Sequence, residues 1–292
     1  MIPKIIHQTW KTSRPPIKTL FCIESWKNLN PGFDYILWSD EDIQTFVDRY
    51  YPEYLGRIEN FQLGIIKADF FRLLALYHFG GIYVDIDFEC LVPFEKWNCI
   101  KNDRINAAFE PFSHGFIHPS FKQKLCNAFF ASPPRMHAYK HLIDAGNSVN
   151  DKKPLEVKRS YGPMAWSKLL TEKSWRKEIN IIPRRLIYPI PDLTNPRVMV
   201  NAKSIELIMR QIKNRDFDSV AVHYWDHSSC EAPSILDAID TNDLSLIIDV
   251  RSRQQKTFAD YSYKSKKMKK VGLKARLKVL LKLLQYRLNL YQ

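Results

Sequence analysis

The chain has 292 residues, of which 45% are apolar and 26% charged. That composition suits one large α/β domain with appendages, or two small domains, and excludes a disordered or fibrous chain. The net charge of +13 sits at one end: residues 251–292 hold 13 Lys/Arg against the single acid Asp260, which leaves 31 basic and 30 acidic residues before them, so the body is close to neutral and the tail is cationic.

In chain order, residues 2–10 (Ile-Pro-Lys-Ile-Ile-His-Gln-Thr-Trp) read as a buried opening strand and residues 13–16 as a Pro-rich loop. Residues 35–38 read as a second strand, and Ser39 with Asp42 offers a cap for a helix to about Tyr50. Leu63, Ile66, Phe70, Leu73, Leu74 and Tyr77 recur at helical spacing, and Gly80-Gly81 gives that helix its stop. Ile82, Val84 and Ile86 then alternate with Tyr83, Asp85 and Asp87, which predicts a strand carrying both carboxylates on one face. Residues 105–109 and 219–224 are further strand candidates, with helices expected over 120–131, 138–147 and 163–172. The alternation implies an α/β fold built on a mixed, mostly parallel sheet covered by helices. The predicted domain is residues 1–250, followed by a tail over 251–292. In that tail Leu273, Leu277, Leu280, Leu284 and Leu288 form a stripe opposed by Lys274, Lys278, Lys282 and Arg287, a basic amphipathic C-terminal helix.

The five cysteines, Cys22, Cys90, Cys99, Cys126 and Cys230, form an odd set without a Cys-x-x-Cys pair and read as reduced core thiols rather than a disulfide framework or zinc ribbon. The opening residues lack the apolar core of a signal peptide, and no stretch approaches the ~20 apolar residues that span a bilayer. The expectation is a cytoplasmic, peripherally membrane-associated protein, with residues 263–291 on an anionic membrane surface and no nucleic-acid partner. Packing of the Leu stripe on the body or on a second subunit is the alternative.

Two carboxylates at i, i+2 on a strand end repel each other, and a hard dication such as Mg2+ or Mn2+ shared with a diphosphate relieves that repulsion. A solvated strand end is the other reading of an isolated Asp-x-Asp. The context favours a site, because ligands of α/β sheets sit at the carboxyl ends of strands. Asp69 and Arg72, i and i+3 near the centre of an apolar helix, are either a salt bridge or a pair in use. Glu110, His114 and His118 beyond the next strand are candidates to face an acceptor. The remaining histidines are scattered and read as satisfied polar groups. No Gly-x-x-x-x-Gly-Lys, Gly-x-Ser-x-Gly or His-Glu-x-x-His occurs, which leaves P-loop, acyl-enzyme and zincin chemistry without support.

The run from Ala68 to Asp87 resembles the core signature of glycosyltransferase family 32, which includes yeast outer-chain mannosyltransferases and bacterial polysaccharide transferases and is related to clostridial toxin glucosyltransferase domains. Residues 2–10, Ser25-Trp26 with Asn30-Pro31-Gly32, and Leu37-Trp38-Ser39-Asp40 are also similar; beyond residue 90 the likeness thins to Gly162-Pro163 and His223-x-Trp225. The resemblance implies a GT-A fold and a retaining transfer of a hexose from a nucleotide-diphosphate sugar to a glycan or lipid-linked acceptor in surface polysaccharide synthesis. It implies Asp85, Asp87 and His223 as metal ligands, with the imidazole leaning towards Mn2+ over Mg2+. Asp69 and Arg72 would hold donor hydroxyls, Trp10 would stack on the base, and Tyr83, Asp85 and Ser229 would contact the donor, a UDP-hexose in preference to GDP-mannose. Where relatives carry Ser-Trp near the leaving phosphate, this chain has Ser229-Cys230. Alternatives are a toxin-like protein glycosyltransferase and a non-catalytic nucleotide-sugar or nucleic-acid binder.

Overall fold

A computed structural model describes residues 1–61, 63–117, 124–149, 154–195, 198, 202–226 and 234–241. The basic tail, Ser229, Cys230, His118 and His227 lie outside the described residues.

In chain order the elements are β1 (Ile5–Thr9), α1 (Leu20–Leu29), β2 (Asp34–Trp38), α2 (Asp40–Tyr50), α3 (Leu55–Glu59), α4 (Gly64–Phe79), β3 (Gly81–Val84), β4 (Phe88–Cys90) and β5 (Ile105–Ala108). There follow β6 (Phe129–Ser132), α5 (His137–Asn147), α6 (Pro154–Tyr161), α7 (Pro163–Leu169), β7 (Ile179–Ile182), α8 (Arg184–Ile187), α9 (Ala202–Asn214), β8 (Ala221–His223) and α10 (Ile235–Thr241). A six-stranded sheet has the order β2-β1-β3-β6-β5-β7, and β4 with β8 forms a second, two-stranded sheet. β1 pairs parallel with β2 and β3, β5 parallel with β7, and β6 antiparallel with both its neighbours, so β6 alone of the six runs against the rest. This is the mixed, mostly parallel α/β sheet flanked by helices that the sequence predicts.

Alternation along the strands divides the core into two layers. Ile82, Val84, Phe129, Ala131 and Ala108 meet Trp26 of α1 and Met209 of α9 in one cluster, while Tyr83, Phe130, Ile105 and Ala107 meet Phe46 of α2 and Leu73 of α4 in the other. The predicted cap of α2 is present as a capping box: Ser39 Oγ accepts from the Asp42 N–H at 3.1 Å, and Asp42 Oδ2 accepts from the Ser39 N–H at 2.9 Å. The double glycine does more than stop a helix. Gly80 has φ 67° and Gly81 φ 90°; a Cβ on Gly81 would lie 2.6 Å from the Ile5 carbonyl oxygen, so only glycine lets α4 turn straight into β3 beside β1.

One expectation is corrected. Residues 120–131 do not form a helix where they are described: Phe129–Ser132 is β6, inserted between β3 and β5 with every residue buried. A short apolar run has no period of its own, and the pairing partners on both sides decide its state. α4 is the apolar helix with charges near its centre that the sequence predicts: Asp69 to Leu76 are all buried, and the helix is central to its layer. Among the described residues no helix is long and apolar enough to cross a membrane.

Candidate active site

The strand that leads to the two aspartates is shorter than its alternation suggests. β3 ends at Val84; the Asp85 N–H still donates to the Ala128 carbonyl at 2.9 Å, and then residues 85–87 turn, with the Phe88 N–H closing on the Asp85 carbonyl at 3.2 Å. The carboxylates therefore converge through a turn, not through the pleat of one strand face. The turn delivers the chain into β4, whose antiparallel pairing with β8 sets Phe88 opposite His223. His223 Nε2 lies 3.2 Å from Asp87 Oδ1, and one ligand atom each from Asp85, Asp87 and His223 fall within 4.8 Å of one another. The His223 ring stacks on Phe88 at 5.0 Å and packs on Trp225 at 4.3 Å, which fixes its plane.

Asp69 and Arg72 meet this group from α4. Arg72 Nη1 donates to Asp69 Oδ1 at 2.9 Å and Nη2 to Asp85 Oδ1 at 2.8 Å, so the two pairs expected separately from the sequence are one network. The guanidinium lies 4.3 Å from the centre of the Tyr83 ring, and Nη2 is 3.3 Å from the Tyr83 hydroxyl, which in turn is 2.8 Å from Thr9 Oγ1. Tyr83 carries no exposed surface, so the expected contact between Tyr83 and a donor is corrected: its ring and hydroxyl support Arg72. Asp69 Oδ1 also accepts from Asn127 Nδ2 at 2.7 Å.

Burial pushes the Asp85 carboxyl up to about 6; the Arg72 charge opposes the shift and neighbouring Asp87 adds to it. Burial also acts to raise Asp87, but the His223 charge and hydrogen bond and the Asp226 backbone N–H outweigh it, and Asp87 stays below the usual carboxylate range. For Arg72, burial opposes the charged form, and Tyr83, Asp85 and Asp69 together still raise its pKa. The cluster holds three carboxylates and one guanidinium, which bonds two of them, an excess of two negative charges of the size a dication would neutralise. His223 Nδ1 is buried without a hydrogen-bond partner among the described residues, and an imidazole beside two carboxylate oxygens is a donor set that suits Mn2+. The residues present fit such an ion. Asp85 keeps 32% of its side chain exposed, which makes it the edge of the cluster that a ligand reaches first.

Trp10 follows the end of β1, half-buried, with its N–H donating to the Trp38 carbonyl at 3.0 Å. The expectation that His114 faces an acceptor is corrected. His114 is 6% exposed, its Nε2 accepts from the Asp192 N–H at 2.8 Å, and its Nδ1 is therefore the nitrogen that donates to Glu110 Oε2 at 3.3 Å. Both nitrogens are in use, and the ring packs on Trp225 at 4.5 Å as a support.

Several supports escaped the sequence reading. Along β1, His7 Nε2 donates to the Gly80 carbonyl at 3.0 Å, Gln8 Nε2 to the Asp85 carbonyl at 3.2 Å, and Thr9 holds Tyr83, so three consecutive polar residues brace the strand and turn that carry the aspartates. The signal was present: His-Gln-Thr interrupts an apolar opening strand, and buried polar groups need partners.

A sequence profile described as "Glycosyltransferase sugar-binding region containing DXD motif" matches residues 16–104. This segment is similar to the DXD-containing glycosyltransferases. Asp85-Ile86-Asp87 is its Asp-x-Asp. Inositol phosphoceramide mannosyltransferase 3 of Schizosaccharomyces pombe is 43% identical over 89 residues, covering 30% of this chain and 25% of that protein. Mannosyl phosphorylinositol ceramide synthase CSH1 of Saccharomyces cerevisiae is 41% identical over 90 residues, 31% of this chain and 24% of its own. The chain spans about a quarter of the length of the curated relatives it matches. Among solved structures, the PaToxG glycosyltransferase aligns over 59% of this chain and 70% of its own, at 17% identity and a TM-score of 0.43. The likeness to the DXD family therefore rests on the sequence that builds α1 to β4, the same stretch that supplies Asp69, Arg72, Asp85 and Asp87.

Proposed function

We propose that this chain is a GT-A-type, metal-dependent retaining glycosyltransferase that moves a hexose from a nucleoside diphosphate sugar to a glycan or lipid-linked acceptor. The observation that carries the reading is the convergence of Asp85, Asp87 and His223 beside the Asp69–Arg72 pair at the carboxyl end of β3. Asp85, Asp87 and His223 would hold Mn2+ or Mg2+, which supplies the positive charge that stabilises a departing diphosphate. Asp69 and Arg72 would bind donor hydroxyls, with Asn127 and Tyr83 keeping the pair aligned. Trp10, partly exposed past β1, offers a face for the base, and Ser229 remains the proposed contact to the leaving phosphate.

The names of the matched relatives favour a mannosyl donor and an inositol-phosphoceramide type of acceptor over the UDP-hexose expected from the sequence. A lipid-borne acceptor also gives the basic tail, residues 263–291, a purpose at an anionic bilayer. The deciding experiment is nucleotide release from GDP-mannose and a panel of UDP-hexoses, with and without Mn2+. Slow Mn2+-dependent hydrolysis of one donor is expected. No release from any donor, or release that ignores both Mn2+ and EDTA, would sink the proposal, and preference for a UDP-hexose would overturn the mannosyl reading alone.

A further inference from the structure

Asp87 is held on two sides. His223 contacts Oδ1, while Oδ2 accepts a 2.6 Å hydrogen bond from the backbone N–H of Asp226. That N–H reaches Asp87 because the chain bends at Trp225, a non-glycine residue at φ 56°, whose indole is tied by Nε1 to the Ile190 carbonyl at 2.9 Å. The Asp226 side chain then lies only 3% exposed, a charge that costs free energy unless it is paired. Its partner comes from the other end of the chain: Lys18 Nζ, in the turn before α1, lies 2.9 Å from Asp226 Oδ1. The same ammonium contacts Asp237 Oδ1 at 3.1 Å and Ser234 Oγ at 3.4 Å, at the capping box that starts α10. Among the described residues no second cation pairs with Asp226.

We propose that Lys18 is a positioning residue for Asp87, acting through Asp226. Without the ammonium, the Asp226 carboxylate is an unpaired charge in a site that already holds an excess of negative charge, and it relieves that state by moving towards water. The movement turns the peptide whose N–H fixes Asp87 Oδ2. Groups that orient a ligating carboxylate typically carry 10–100-fold in metal affinity. The inference rests on the reading of Asp87 as a metal ligand.

The test uses the full chain and Mn2+ alone, with free Mn2+ measured by its electron paramagnetic resonance signal. Lys18→Met is expected to weaken Mn2+ binding roughly 10–100-fold and, because it breaks a largely buried pair, to lower the metal-free melting temperature as well. Lys18→Arg restores most of the affinity. Asp226→Asn removes the charge that needs the cation, so the double variant Lys18→Met/Asp226→Asn also recovers affinity, an outcome that simple loss of packing would not produce. Equal Mn2+ affinity in the parent and Lys18→Met overturns the inference alone, as does failure of both rescues. A parent that binds no Mn2+ overturns the reading of the site and the inference with it.

Discussion

Arg72→Met tests the network at its centre. The guanidinium is 3% exposed and is the only cation hydrogen-bonded to both Asp69 and Asp85 among the described residues. Methionine fills much the same volume with no charge, so the variant takes the shared cation from buried Asp69, which keeps its Asn127 hydrogen bond, and from Asp85, which is 32% exposed. Removing one partner of a fully buried pair costs about 3–5 kcal/mol; with Asp85 partly exposed and Asp69 still hydrogen-bonded, the expectation for Arg72→Met at pH 8 is lower, about 2–3 kcal/mol. The cost should fall in acid. Asp85 already titrates at about 6 with Arg72 present, and without it the neighbouring charges push its pKa higher still. Between pH ~6 and the variant's higher value, the folded variant holds a proton that the folded parent has released. The stability lost through the substitution therefore grows with pH in that window, by ~1.4 kcal/mol per pH unit. Urea unfolding of both proteins in EDTA at pH 5.5, 7 and 8, followed by far-UV circular dichroism, reads this directly. A loss below ~1 kcal/mol at pH 8, or the same loss at pH 5.5 and 8, would refute the coupling of Arg72 to both carboxylates. Arg72→Lys keeps a charge without the planar fork and should fall between the two.

His7→Gln keeps one donor and one acceptor while removing a titration that burial pushes down to about 4 from 6.5. The unfolded chain binds this proton more readily, so the parent's stability is whole above pH 6.5 and falls towards pH 4 by up to about 3 kcal/mol, a slope the variant should lack when melting is compared across that range. Asp87→Ala should abolish Mn2+-dependent donor hydrolysis while the protein still folds; full turnover by the variant would refute its role as a ligand. Trp10→Ala should weaken free-nucleotide binding by roughly 1–3 kcal/mol with little change in melting temperature, and unchanged affinity in a folded variant removes the stacking role.

The fold was legible where local chemistry and tertiary context agree. β1, β2, α2 and α4 each carry their own signals: an apolar run, a capping box, a helical period, a terminal glycine. β6 was missed because Phe129-Phe130-Ala131 has no period that distinguishes a buried strand from a buried helix, and its state is set by β3 and β5 on either side. The turn at residues 85–87 was read as the end of the β3 strand because the alternation of Ile82 to Asp87 runs straight through it, and β4 beyond it went unread. A turn without glycine or proline leaves no mark in the sequence pattern. β7 and α9 went unread for a related reason, since both lie beyond the stretch in which motifs anchor the reading.

The site was legible as a set of residues and not as a circuit. Spacing joined Asp69 to Arg72, and Asp85 to Asp87, as two separate pairs; burial makes them one, because a single guanidinium has to answer two carboxylates. The third metal-ligand candidate shows why the rest was hidden. His223 comes to Asp87 through β4–β8 pairing, and the chain that follows it bends at Trp225 so that one backbone N–H meets the free oxygen of the same carboxylate. No local pattern encodes a contact of that kind. What the sequence does encode is the imbalance that makes it necessary: aspartates placed among apolar residues with too few cations nearby. A fold that buries such charges must find partners for them, as Arg72 does for Asp69 and Asp85 and the distant Lys18 does for Asp226, and the excess of two negative charges left in the Asp69–Asp85–Asp87 cluster is the physical argument for the proposed divalent cation.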